Sequence, residues 1–304
     1  MAYLGCSGAE LRYSRSKRCF KLSMQTYIEK LADKFNVRAG SANPNFVEPP
    51  ILNEQSAIVN FPYREMIGSL QWISTITRPD VARNVNFLSR FLGKPVTMAR
   101  VDAGKKIIKY LLSSLREGIS YSPSNEEAFL EDYSEDGDGH KMPKSAHHLF
   151  NDASFASSID NYYSNSGSVL FVHGTPIAWR SGRQTIRATS TTEAEWIAAS
   201  DGLTWVKLIS CLEFFSSESN ISVKLPKDML ILRDNKSAVI VAKCQEIKPK
   251  SRHYALRMLN VRDEKARLWL VRTDKMCADA LTKPVSGKQR KLLLGKSSNI
   301  PISK

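Results

Sequence analysis

No stretch of about eighteen apolar residues, the length needed to cross a bilayer, occurs anywhere in the 304-residue chain. The N-terminal MAYLGCSGAELRYSRSKRC also lacks a sustained apolar core after a basic start, so it reads as a poor secretory signal. Cysteine is sparse. Cys6, Cys19, Cys211, Cys244 and Cys277 are scattered, and none forms a CxxC pair. That pattern argues against zinc and fits reduced, mostly buried thiols in an intracellular protein, whether cytoplasmic or nuclear. Acidic residues are under-represented: 30 Asp and Glu face 44 Lys and Arg, a net charge of +14. Such an excess suits a polyanion, most simply a nucleic acid bound through its phosphates. No basic amphipathic helix of the membrane-surface kind is evident, so no membrane partner is expected.

The N-terminal third carries helical periodicity. Tyr27, Ile28, Leu31 and Phe35 recur at helix spacing after a strand-like Arg18–Leu22. YREMIGSLQWISTITRPDVARNVNFLSRFLGKP predicts two helices parted at Arg78-Pro79, with Asp80 in the first turn of the second. Ile107, Ile108, Leu111, Leu112 and Leu115 make one face of a third helix, which Gly118 is expected to end. Residues 39–58 read as a loop, and the acidic, Ser- and Gly-rich 119–148 as a linker. Asp132, Ser134, Asp136 and Gly137 mimic the opening of a calcium loop, but the required Glu falls at Pro143, which excludes it.

Beyond the linker the pattern changes to strands and helices. HLFNDASFAS, SGSVLFVHGTPIAWRS, MLILRD and RLWLVR predict strands, and helices are expected from about Thr192 to Phe215, over DNKSAVIVAKC, over RHYALRMLNVRDEKA and over KMCADALTKP. Strands first and βαβ units later predict an α/β fold: a mixed sheet with packed helices.

Four carboxylates stand at the ends of these elements: Asp152, Glu195, Asp234 and Asp279. Each has a plain structural explanation, such as helix capping for Asp234 or a favourable N-terminal charge for Asp279. If the strands are neighbours, the four converge, and like charges that close need a cation. Hard oxygen donors suit Mg²⁺ or Mn²⁺, and a pair of such ions roughly 3.5–4 Å apart activates water in phosphodiester cleavage. Glu193 competes with Glu195 for this role. Ser190-Thr191-Thr192-Glu193 has the form of a capping box, in which Glu193 reaches back to the Ser190 N–H. Glu195 instead shares its face with Ala198, Ala199, Gly202, Val206 and Ile209, which favours it as the metal ligand. On that basis Glu195→Gln is expected to leave stability unchanged or raised.

NDASFAS, ATSTTEAEWIAA, LRDNKSA, SRHYALR and ADALTKP, in that order over residues 149–284, resemble the ribonuclease H domain of copia-type LTR retrotransposon polymerase polyproteins. Upstream, YLGCSGAELRYSRSKRCFKLSMQTYIEKL is similar to the stretch after the palm of copia-type reverse transcriptases. YREMIGSLQWISTITRPDVARNVNFLSRF and KKIIKYLLSSLREGISY are similar to the thumb and connection. The resemblance implies a ribonuclease H-like domain over 149–284, preceded by a mostly helical thumb/connection remnant over 1–118 and followed by a basic tail over 285–304. It also implies that Asp152, Glu195, Asp234 and Asp279 form a D-E-D-D set for two Mg²⁺ or Mn²⁺ ions, hydrolysing the RNA strand of RNA–DNA hybrids. Two departures stand out. No Tyr-x-Asp-Asp polymerase motif occurs, so no reverse transcriptase activity is expected, and the loop Thr273–Met276 lacks the His that many ribonucleases H carry before the last Asp.

Arg180, Arg183 and Arg187 precede the Glu195 helix, and Lys236 and Lys243 follow Asp234. Together they suggest a nucleic-acid groove. His253 matches a family position and reads as a surface or phosphate contact. GKS at 295–297 is no phosphate loop, because the earlier Gly falls at Arg290. Two further readings stay open: a truncated, catalytically inactive remnant that at most binds nucleic acid, and an assembly partner of an intact polymerase polyprotein.

Overall fold

Both periodicities fold as expected in the computed structural model, which describes residues 2–6, 8–38, 56–135, 139–143, 145, 147–157, 162–205, 229–235, 254–263 and 267–295. The chain divides into two units, 1–124 with 284–304, and 125–283. The expected helix over DNKSAVIVAKC lies outside the described residues, as do Lys236, Lys243 and His253.

In the first unit, β1 (Ala2–Cys6), β2 (Ala9–Ser14), β3 (Cys19–Ser23) and β4 (Ile119–Tyr121) form an antiparallel sheet in that order. Four helices accompany it: α1 (Gln25–Lys34), α2 (Tyr63–Ile76), α3 (Ala82–Ser89) and α4 (Met98–Ser113). Ile28 and Leu31 of α1, Met66 and Leu70 of α2, Val85 and Leu88 of α3, and Ile107 and Leu111 of α4 bury a common core. The unit is therefore more β-rich than the sequence suggests. Gly118 does not end α4, which stops at Ser113. A Cβ at Gly118 would collide with the Leu22 carbonyl, so the glycine permits β4 to approach β3. Asp80 is likewise more than a helix-start charge. Arg78 donates to it through Nε and Nη2 at 2.9 and 2.8 Å, and the Tyr110 hydroxyl at 2.7 Å. All of these groups are buried.

The basic tail is folded over its described part. After α9 (Gly287–Lys291), Leu293 and Leu294 are buried. Arg290 stacks over Tyr110 at 5.6 Å, and Lys291 pairs with Glu117 at 3.0 Å.

The second unit opens with α5 (Ser124–Asp132), inside the segment whose acidic composition reads as a linker. Phe129 and Tyr133, four residues apart, put two rings on one face. Phe129 lies 4.6 Å from His148, 6.1 Å from Phe150 and 5.4 Å from Phe171, and Tyr133 lies 5.2 Å from Phe150. The helix is thus part of the core, with its acids facing water. The sheet follows: β5 (His147–Ser154), β6 (Asn165–Val172), β7 (Thr175–Arg183), β8 (Met229–Arg233) and β9 (Arg267–Leu270). Their order is β7-β6-β5-β8-β9. β5, β6 and β7 are antiparallel neighbours, whereas β8 runs parallel to β5 and β9 parallel to β8. On the sheet, α6 (Thr191–Gly202) and α7 (Ala255–Asp263) pack Trp196, Ala199, Met258 and Val261 against Leu149, Leu170 and Ile231. This is the mixed α/β sheet with packed helices that the sequence pattern predicts, in keeping with the ribonuclease H-like fold that the resemblance implies. The short α8 (Asp279–Thr282) closes the unit.

Candidate active site

β5 carries Asp152 opposite Gly167 of β6. Phe150 lies beside Leu232 in the parallel β5–β8 register. Asp152 and Asp234 each follow by two residues, so they emerge on neighbouring chains at a strand spacing of about 4.8 Å. Gly167 explains how the third aspartate arrives. A Cβ there would lie 2.7 Å from Leu281 Cβ, 2.8 Å from Thr282 Cγ2 and 2.9 Å from the Ala278 carbonyl. Only a residue without a side chain lets α8 seat on the sheet at this level. The Ser181 hydroxyl of β7 fastens α8 by donating to the Leu281 carbonyl at 2.6 Å. With α8 seated, the Thr282 hydroxyl donates to the Asp152 carboxylate, and Asp279 is buried beside it.

Glu195 comes from α6, whose N-terminus is capped as the sequence predicts, with one change. Ser190 Oγ accepts from the Glu193 N–H at 3.1 Å, but the Glu193 carboxylate reaches Thr189, accepting from its N–H at 2.6 Å and its hydroxyl at 2.8 Å. Glu193 and Glu195 are equally buried, each 6% exposed. The two differ in their partners: Glu193 serves the cap, and Glu195 faces the other carboxylates.

The electrostatics record that convergence. Asp279 is pushed up to about 7, first by burial and then by Asp152, while Lys283 Nζ, 2.9 Å from its Oδ1, restrains the rise. Asp234 is raised by burial and by Asp152, against Lys283 and a hydrogen bond from Thr273. Thr273 belongs to the loop that lacks a His. Glu195 rises to about 6 by burial, with Asp152 and Asp234 adding to it and Arg233 opposing. The four sequence-predicted carboxylates thus share one electrostatic neighbourhood. Among the described residues, however, no three His, Cys, Asp or Glu side chains are arranged to hold a metal ion. Thr282 engages Asp152, Lys283 engages Asp279, and a residue that sequence reasoning missed engages Glu195.

That residue is Arg233. It is fully buried, and its Nη2 lies 2.5 Å from Glu195 Oε2. Its guanidinium carbon sits 5.4 Å from the Trp196 ring centroid. A signal was present in the sequence: Arg233 directly continues Leu230-Ile231-Leu232, a run buried on both faces of the sheet.

Of the basic candidates, Arg180, Arg183 and Arg187 are all exposed. Arg183 and Arg187 converge on the ring of Tyr163, at 4.9 and 5.2 Å. Tyr163 precedes β6 at the sheet end where Asp152 lies. Arg180 stands apart and acts on Asp201.

No protein-family model matches the chain. It is 28% identical over 314 residues to the retrovirus-related Pol polyprotein from transposon TNT 1-94 of Nicotiana tabacum, covering 96% of this chain and 21% of that protein. It is also 28% identical over 228 residues to the Pol polyprotein from transposon RE1 of Arabidopsis thaliana, covering 74% of this chain and 14% of that protein. The chain is similar to copia-type retrotransposon Pol polyproteins over most of its length. It spans about a fifth or less of the length of these Pol relatives. Among solved structures, RNase H1 from Halobacterium salinarum aligns with 45% of this chain and 93% of its own at 14% identity, with a TM-score of 0.32. No helix among the described residues is long and apolar enough to cross a membrane.

Proposed function

We propose that the 125–283 unit hydrolyses the RNA strand of RNA–DNA hybrids, with Asp152, Asp234 and Asp279 holding a divalent cation, Mg²⁺ or Mn²⁺. One observation carries this reading: carboxylates from β5, the end of β8, α6 and α8 are built into a single neighbourhood, where Asp152 raises the proton affinity of the other three and Asp234 that of Glu195 and Asp279. Such an arrangement is unfavourable without a cation, and the all-oxygen donor set suits a hard one. A bound divalent cation would supply Lewis-acid activation of a water and charge stabilisation at the scissile phosphate. The chain's own residues do the rest. Lys283, 40% exposed at its side chain, withdraws from Asp279 towards water as the carboxylate takes a new partner. Thr282 orients Asp152 through its hydroxyl. Arg183 and Arg187, held over Tyr163, contact phosphates of a hybrid read by its shape and 2′-hydroxyls.

A second reading is a catalytically inactive remnant that binds nucleic acid, favoured by the ion pair that Arg233 makes with Glu195. A labelled hybrid incubated with the purified chain in Mg²⁺ and in Mn²⁺ separates the two. Cleavage that Asp152→Asn abolishes supports hydrolysis. Hybrid binding without cleavage in either metal supports the remnant.

A further inference from the structure

We propose that Arg233 is a resident cation that takes the place of a second metal at Glu195, so that the site takes up one divalent cation per chain rather than two. This rests on the reading above that the carboxylate cluster binds a divalent cation.

The argument turns on which carboxylates can be freed. Asp279 is held by Lys283, a half-exposed side chain on a flexible stem, whose ammonium can return to water when another cation arrives. Glu195 is held differently. Arg233 has no exposed surface, and its guanidinium lies over Trp196 with Nη2 on Glu195 Oε2. Its Nε and Nη1 have no hydrogen-bond partner among the described residues. Glu195 is therefore the sole described carboxylate partner of a cation that cannot reach solvent. A metal that recruited Glu195 would strand a buried guanidinium without its counter-ion. It would also place a divalent charge beside that guanidinium. Both effects oppose the second ion. Neither touches the first, because Asp152, Asp234 and Asp279 form no ion pair with Arg233 among the described contacts. The position of Arg233 on β8, one residue before Asp234, builds this division into the strand itself.

Equilibrium dialysis of Mn²⁺ against the full chain, counted by electron paramagnetic resonance, tests the proposal. Wild type is expected to bind one Mn²⁺, Arg233→Met two, and Arg233→Lys, which keeps a cation, one. Two ions in wild type or in Arg233→Lys overturn the proposal, as does a single ion in an Arg233→Met protein that melts cooperatively. If Arg233→Met fails to fold, the wild-type and Arg233→Lys counts still decide. No Mn²⁺ in any of the three proteins overturns the metal-binding reading and this inference with it, an outcome distinct from a count of two in wild type.

Discussion

Replacing Glu195 by Gln removes one charge from a pair in which the partner is wholly buried. Arg233 would keep its charge and lose its counter-ion, a change that destabilises by about 3–5 kcal/mol in comparable buried pairs. The lower end applies here, because the substitution also relieves the repulsion that Asp152 and Asp234 exert on Glu195. The expected loss is therefore about 3 kcal/mol, which for a unit of this size lowers the melting temperature by roughly 6–12 °C. This is the reverse of what the helix face of Glu195 suggests when read from sequence, where loss of the charge looks neutral or favourable. The double change Glu195→Met with Arg233→Met removes both charges and keeps the volume, so it should return to within about 1 kcal/mol of wild type or exceed it. Urea denaturation in chelator, run as a double-mutant cycle, measures the coupling. A Glu195→Gln protein within about 0.5 kcal/mol of wild type would refute the ion pair as a buried, unrelieved interaction.

In metal-free buffer, stability should fall as pH rises from about 4 to about 7. Asp279 is held up to about 7 in the folded state against about 3.9 unfolded, so the native state binds more protons across that window. Asp279→Asn should remove this component, and saturating Mn²⁺ should flatten it; a wild-type minus variant difference that rises with pH contradicts the assignment. Gly167→Ala should cost about 1–3 kcal/mol by overpacking and lift α8 from the sheet, weakening Mn²⁺ binding. Unchanged melting and unchanged affinity would show that α8 does not need the close approach. Phe129→Ala should destabilise the second unit by about 3–5 kcal/mol, and a change below about 1 kcal/mol would return α5 to the status of a linker.

The strands of the second unit were legible because their apolar runs are short and bounded, and because Asp152 and Asp234 interrupt them abruptly. The capping role of Glu193 is legible too, since Ser190 stands three residues before it and helical spacing sets Glu193 and Glu195 on different faces. Their burial is not: both are equally enclosed, and a residue pattern says nothing about what lies opposite a face. Composition misled at α5, where four acids and several serines around Phe129 and Tyr133 mask two rings that pack on Phe150. β1 and β2 are hard to read from sequence because their antiparallel pairing joins residues outside any apolar run, such as Gly5 opposite Glu10. Arg233 stands at the polar end of an apolar run, yet the strand that carries it is buried throughout. Partnership across 38 residues, from Arg233 to Glu195, has no signature in either local sequence.

The hydroxyl contact from Thr282 to Asp152 spans 130 residues, and it sets a timetable for synthesis. At about 5–20 residues per second, roughly 7–26 s separate the emergence of Asp152 from that of Thr282. Throughout that interval the β5–β7 meander can pair locally, and β8 and then β9 can add to it in parallel. The groove over Gly167 meanwhile has nothing to fill it. The nascent sheet would carry an exposed furrow with Asp152 at its side, and the final helix would drop into it as a latch. A chain halted after β9 would then possess a nearly complete sheet and no closed site, open to chaperones and proteases at the furrow that α8 fills in the finished protein.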